Sequence, residues 1–177
     1  MPSPSLPFDE ARLWQHVIAQ FHGTEASLHG PAHWRRVRRN GLLLATRSGA
    51  DPVVVRLFSI FHDSRRINDG WDHGHGTRGA EFATLSRKEW LNQITDDQFE
   101  LLHYACTWHT DGHHHEDPTI GTCWDADRLD LGRVSIIPSS EFMSTAFAKE
   151  MADLGSIQPF LPHDDWEMDL HWPPASV

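Results

Sequence analysis

The segment that most constrains the fold is the apolar run from Val53 to Phe61, which leads directly into His62 and Asp63. Its β-branched beginning is also compatible with a buried strand. However, Asp51-Pro52 is a typical helix start, because Asp can cap a helix and Pro suits the first helical position. At about eleven residues the segment is also long for a strand. The sequence therefore predicts a central buried helix that ends at two polar residues.

Helical periodicity recurs along most of the chain. Thr95 and Gln98 form a capping box at the start of one of these segments. The predicted helices cover approximately 8–21, 31–46, 77–90, 96–108 and 141–152, together with a stripe formed by Trp124, Asp127, Leu131 and Val134. We find no alternating strand pattern. The sequence predicts an all-α fold with one domain over residues 1–156 and an irregular tail over 157–177 packed on it.

Composition narrows the class of protein. With 177 residues, 39% hydrophobic and 23% charged, the chain is expected to form one globular domain. A net charge of −10 argues against a protein that coats nucleic acid. No apolar run reaches the roughly 20 residues of a membrane span, and the N-terminus does not resemble a signal peptide. Two cysteines make no disulfide framework, so a cytoplasmic, reducing compartment is expected.

Four residues of metal-ligand type lie on or beside helical faces that are otherwise apolar: His33, His62, Asp63 and Asp127. A buried carboxylate is costly unless it is paired or bound to a cation. A shared divalent metal therefore explains all four positions together. Two His and two Asp suit Mn, Fe, Co, Ni or Zn, and suit Mg less well. The alternative is a helical bundle in which these side chains only cap and pair.

Asp125 competes with Asp127 for the role of ligand. Asp127 shares its predicted helical face with Trp124 and Leu131, whereas Asp125 shares a less apolar face with Leu129 and Gly132. Helical phase favours Asp127.

The order of these ligands resembles that of the HD-domain superfamily of metal-dependent phosphohydrolases. The local contexts are His33-Trp34-Arg35-Arg36-Val37, Phe61-His62-Asp63 and Ala126-Asp127-Arg128-Leu129, and the resemblance covers about residues 29 to 134. It implies a helical bundle in which these four residues bind a metal, and a metal-activated water that attacks a phosphorus centre. The expected partner is a small phosphorylated substrate, with nucleotides as the favoured class. Asp63 is expected to bind the metal and to help orient the water.

Further residues are candidates for a second layer of the site. His75 and His109 occupy places where some HD proteins bind a second metal; the alternatives are a solvated loop His and a His at a helix C-terminus. Arg65 and Arg66 follow the ligand pair closely, and the guanidinium fork is suited to phosphate. Arg128 is a third option. Two rival functions stay open, a di-iron oxygenase of the HD type and a non-catalytic ligand-sensing domain.

Overall fold

Helices account for all regular structure in the part of the chain that the computed structural model describes, residues 6–24 and 26–161. The seven α-helices are α1 Glu10–Ile18, α2 Pro31–Ser48, α3 Pro52–Phe61, α4 His75–Trp90, α5 Asp96–Trp108, α6 Pro118–Arg128 and α7 Ala146–Leu154. Short 3₁₀ turns cover Leu131–Val134, Ser140–Phe142 and Gln158–Phe160. The described residues contain no strand, so the predicted all-α class is confirmed.

Helix α3 is the centre of the bundle. Helices α2, α5 and α6 pack around it, and α2 also packs along α6. Val54, Leu57 and Ile60 of α3 are completely buried. Burying a side chain of this size contributes about 1.5–3 kcal/mol, so the core anchors α3 strongly. Asp51 caps α3 through the amide of Val53 at 2.8 Å, and its other oxygen accepts from the side chain of Gln98 at 2.8 Å.

The close approach of α4 to the end of α3 depends on Gly79. A Cβ atom at this position would lie 2.4 Å from the carbonyl oxygen of Phe61 and 2.9 Å from that of His62. Any larger residue would clash with backbone atoms. Gly79 therefore allows the start of α4 to lie against the turn that carries His62 and Asp63.

Several helix boundaries differ from those predicted by periodicity. Helix α1 begins at Glu10 because Asp9 caps it, and α7 begins at Ala146 because Thr145 caps it. Helix α4 begins at His75, after Gly74 in the left-handed conformation, so His75 is the first residue of a helix and is not in a loop. Helix α6 begins at Pro118 and ends at Arg128. The predicted stripe from Trp124 to Val134 is therefore not one helix, since Leu131 and Val134 belong to a 3₁₀ turn.

The predicted C-terminal tail falls mostly outside the described residues, so it stays a prediction for 162–177. At its beginning, the ring of Phe160 packs edge-on against Phe147 of α7, with ring centroids 5.3 Å apart. Among the described residues, no helix combines the length and the apolar character that crossing a membrane requires.

Candidate metal centre

The ends of five helices meet at one place and bring six predicted site residues together. The first turn of α2 supplies His33, and α4 begins with His75. His62 and His109 cap the C-terminal ends of α3 and α5, and Asp63 follows His62. Asp127 lies in the last turn of α6. Five of the six are buried, and the side chain of Asp127 is 19% exposed.

The first donor group consists of His33, His62, Asp127 and one oxygen of Asp63. The Nε2 atoms of His33 and His62 face each other at 3.1 Å. Oδ1 of Asp127 lies 3.2 Å from Nε2 of His33 and 4.0 Å from Nε2 of His62. Oδ2 of Asp63 lies 3.5 Å and 3.7 Å from the same two nitrogens. One oxygen of each carboxylate therefore lies within 4.0 Å of both imidazole nitrogens.

The second donor group consists of His75, His109 and the other oxygen of Asp63. The two imidazole Nε2 atoms are 3.0 Å apart. Oδ1 of Asp63 lies 3.2 Å from Nε2 of His75 and 3.6 Å from Nε2 of His109. The Asp63 carboxylate thus presents one oxygen to each donor group.

Each imidazole is oriented by a hydrogen bond from its outer nitrogen. The Nδ1 atoms of His33, His62, His75 and His109 lie 2.7–3.1 Å from four acceptors, which are the Asp130 carboxylate and the carbonyl oxygens of Phe58, Asp72 and Cys106. A carbonyl only accepts, so these Nδ1 atoms carry the proton. In the neutral ring the Nε2 lone pair then points inward, which is the usual arrangement of a metal-ligating histidine.

The donor set fits a divalent cation. Oδ1 of Asp63 is buried and has no hydrogen-bond partner, and a buried carboxylate oxygen without one is costly. Facing lone pairs on imidazole nitrogens about 3 Å apart also repel unless a cation or a proton lies between them. Nitrogen and carboxylate donors in this mixture suit Mn, Fe, Co, Ni or Zn better than Mg. The buried His and Asp groups can therefore hold a metal, as the sequence predicted, and the choice of metal stays a prediction.

Burial and neighbouring charges give most of these groups the protonation state of a metal ligand. Burial lowers the pKa of His62 to about 3 and also lowers the pKa of His75, so both rings are neutral near pH 7. Burial alone would raise the pKa of Asp63, but His62 and His109 outweigh it and hold that pKa well below its usual range. Burial would lower the pKa of His33, but hydrogen bonds to Asp127 and Asp130 raise it. Burial would lower the pKa of His109 as well, but the Asp63 carboxylate raises it. Cation binding therefore competes with a proton at His33 and at His109.

No family model and no curated protein matches the chain. Its fold does match a crystal structure of a predicted HD superfamily hydrolase from an uncultured Thermotogales bacterium. The two structures align with a TM-score of 0.64 over 91% of each chain, at 21% sequence identity. The chain has the HD-type helical fold. The fold that the His33, His62-Asp63 and Asp127 pattern implied is thereby confirmed.

Arg66 reaches the site from the turn after α3. It is buried, and its Nη1 lies 3.5 Å from Oδ1 of Asp63 and 3.2 Å from Nε2 of His75. Its Nη2 donates to the carbonyl oxygen of Gly70 at 2.8 Å. A guanidinium is therefore fixed beside the second donor group.

Arg65 is directed away from the site, so the prediction that placed it there needs correction. Its Nη1 donates to the carbonyl oxygen of Gln20 at 3.1 Å, and its guanidinium lies 4.9 Å from the centre of the Phe82 ring. After α3 the chain continues in tight turns, which send consecutive side chains in different directions. Arg128 lines the cavity over the site, but its guanidinium donates to the carbonyl oxygens of Gly112, His113 and Phe142.

Asp125 and Asp127 have different surroundings. Asp125 is fully buried and accepts from the amide of Ser144 at 2.7 Å, and from the amide and hydroxyl of Thr145 at 2.8 Å each. It thus binds the backbone at the start of α7 and does not face the donor groups. The structure brings Asp127 to the site, although Asp127 is the more exposed of the two.

Three residues of the site were not predicted from the sequence. His29 lies with Nδ1 3.0 Å from Oδ2 of Asp63, and Nη2 of Arg133 lies 3.2 Å from the same Nδ1. Asp130 orients His33 and also accepts from Nε of Arg36 at 2.7 Å. His29 precedes His33 by four residues, directly before the Gly30-Pro31 helix start, and this position is the signal that could have marked it.

A cavity of about 470 Å³ opens over the donor groups. Its lining includes four residues of the donor groups, Asp63, His75, His109 and Asp127, together with Arg66 and Arg133. This volume lies within the range of small-molecule sites. The donor groups are therefore accessible to a ligand of that size.

Proposed function

We propose that the protein is a metal-dependent phosphohydrolase that acts on a small phosphorylated metabolite or nucleotide. The observation that carries this proposal is the buried guanidinium of Arg66, 3.5 Å from the Asp63 carboxylate at the base of the cavity. A cation site next to a fixed guanidinium is suited to a phosphoryl group, which has several anionic oxygens to share between them. The HD-type fold agrees with this function.

His33, His62, Asp63 and Asp127 would hold one cation, and His75 and His109 would hold a second one together with Asp63. A divalent cation bound there supplies Lewis acidity, which lowers the pKa of a coordinated water toward neutrality.

The protein's own residues have separable roles around the phosphoryl group. Arg66, whose Nε and Nη2 are held by the carbonyl oxygens of Asn68 and Gly70, would donate a remaining guanidinium proton to a phosphoryl oxygen and offset the charge that develops there. Asp63 stays ionised because its pKa is held low, so it accepts a hydrogen bond from the attacking water and orients it. His29 lines the cavity with a side chain that is 16% exposed, and its contact with Oδ2 of Asp63 at 3.0 Å helps to position that carboxylate.

Replacing the two neighbouring arginines tests the proposal. Arg66→Ala should keep the bound metal and lose phosphatase activity by roughly ten- to a thousandfold, the range for a group that stabilises transition-state charge. Arg65→Ala is the matched control, because this side chain points away from the site, and it should keep the parent rate. The assay is steady-state hydrolysis of a panel of phosphate esters with Mn, Co, Ni, Mg or Zn. The proposal is wrong if Arg66→Ala retains the parent rate, or if the parent hydrolyses no ester with any of these metals.

A di-iron oxygenase is the second candidate. The observation in its favour is that the two donor groups share the carboxylate of Asp63, so two cations can be bound side by side. This function would be favoured if the purified protein contains two equivalents of Fe and consumes oxygen in the presence of a substrate. One or two equivalents of Mn, Co or Ni with ester hydrolysis would favour the phosphohydrolase.

A further inference from the structure

Trp71 is a large aromatic residue at the mouth of the cavity, and it is 82% exposed. Its indole Nε1 donates to Nε2 of His73, and the two rings meet edge to face with centroids 5.0 Å apart. This contact fixes the direction of the indole while most of its surface stays open to solvent. An exposed aromatic surface beside a polar site is typical of a ligand contact.

The backbone around Trp71 is fastened directly to the metal centre. The carbonyl oxygen of Gly70 accepts from Arg66 at 2.8 Å, and that of Asp72 accepts from His75 at 2.7 Å. The Asp72 carboxylate in turn accepts two hydrogen bonds from Arg78, at 2.6 and 2.7 Å. The residues on both sides of Trp71 therefore hold two groups of the site, and the indole has a set position relative to them.

Apolar side chains from the other end of the chain line the same cavity. Leu131, Val134 and Ile136 follow α6, and Ile136 is 52% exposed. The cavity thus combines the charged groups of the site, Arg66 among them, with apolar side chains that can contact a ligand.

We propose that Trp71 stacks on a flat aromatic ring of the substrate while the phosphate of the substrate lies at Arg66 and the donor groups. This inference rests on the proposed function for the phosphate end of the substrate. It specifies the substrate class as a phosphate ester whose alcohol carries an aromatic ring, such as a nucleoside monophosphate.

The kinetic test compares two substrates that differ only by the ring. A nucleoside 5′-monophosphate and ribose 5-phosphate share the phosphoribosyl group, and only the first carries a base. Trp71→Ala in the metal-loaded full chain should raise KM for the nucleotide roughly five- to a hundredfold, as expected for the loss of one base–aromatic stack. KM for ribose 5-phosphate should not change, and Trp71→Phe should restore most of the nucleotide affinity. Leu85→Ala, at a residue that is 81% exposed and outside the cavity, is the control.

A binding test separates this inference from the proposed function. The phosphonate analogues of the nucleoside monophosphate and of ribose 5-phosphate, in which CH2 replaces the ester oxygen, are not hydrolysed, and their affinities can be measured by calorimetry on the same metal-loaded proteins. Tighter binding of the nucleoside phosphonate that is lost in Trp71→Ala supports the ring site even if the parent hydrolyses no ester. The inference is overturned if the two phosphonates bind equally well, or if Trp71→Ala changes KM equally for the nucleotide and for ribose 5-phosphate. In either case, ester hydrolysis by the parent would still support the proposed function.

Discussion

Asp125 and Asp127 are two residues apart, and replacing each of them should have opposite effects on stability and on metal binding. Asp125→Ala removes the acceptor for two backbone amides and one hydroxyl at the start of α7. Each buried donor left unpaired costs about 1–3 kcal/mol. Burial raises the pKa of Asp125, so some desolvation cost is recovered when it is removed. We expect a net loss of about 3–5 kcal/mol in the free energy of unfolding.

Asp127→Ala should behave in the opposite way. Its carboxylate is partly exposed and faces the donor groups, and it makes no contact with the start of α7. Without metal, its free energy of unfolding should stay within about 1 kcal/mol of the parent value. It should, however, lose the cation of the first donor group.

Equilibrium unfolding in urea with chelator present, followed by circular dichroism, measures the stabilities. Emission spectroscopy of the dialysed proteins measures the bound metal. Because a loss of about 3–5 kcal/mol can unfold a domain of ordinary stability, Asp125→Asn provides a milder variant that retains one acceptor oxygen. The reasoning is refuted if Asp125→Ala is as stable as the parent. It is equally refuted if folded Asp125→Asn binds no metal while Asp127→Ala retains it.

Three other predictions follow from the site and its support. Chelation should lower the free energy of unfolding by about 3 kcal/mol relative to protein at a hundredfold excess of metal over Kd; an unchanged melting temperature would contradict a buried site. The parent should bind two equivalents of metal and His109→Ala only one, and metal analysis showing equal stoichiometry would remove His109 from the ligand set. Gly79→Ala should destabilise by about 1–3 kcal/mol because its Cβ would meet the Phe61 carbonyl. Gly132→Ala, with no atom within 4 Å of the added Cβ, is the control for this unfolding measurement.

Much of the fold could be predicted from the sequence because its signals are local. The Asp51-Pro52 start, the capping box at Thr95 and the apolar body of α3 each specify a helix through neighbouring residues alone. Boundaries were less predictable where a tertiary contact decides them. The apolar spacing of Leu131 and Val134 continues that of α6, yet the chain leaves the helix at Arg128 and forms a 3₁₀ turn.

The site residues could be predicted from the sequence where the burial of their side chains could be predicted. A polar residue on an apolar helical face pointed to His33 and His62, and the structure places both in the first donor group. The same reasoning favoured Asp127 over Asp125, but it could not foresee that Asp125, the fully buried carboxylate of the two, binds the start of α7. Adjacency to Asp63 could not distinguish Arg66 from Arg65 either, because the turns after α3 decide which side chain faces the metal centre.

The hydrogen bonds from Arg66 to Gly70 and from His75 to Asp72 also have a dynamic consequence. Connections between helices are usually the parts of a protein that open first. Here the backbone of the connection from α3 to α4 accepts hydrogen bonds from the buried side chains of Arg66 and His75. Local unfolding of this connection would therefore break hydrogen bonds within the site. We expect this segment to move with the helices and to act as a fixed wall of an open cleft. Ligands would then be selected by fit to a preformed shape, without a closing lid, and they would enter and leave by simple diffusion.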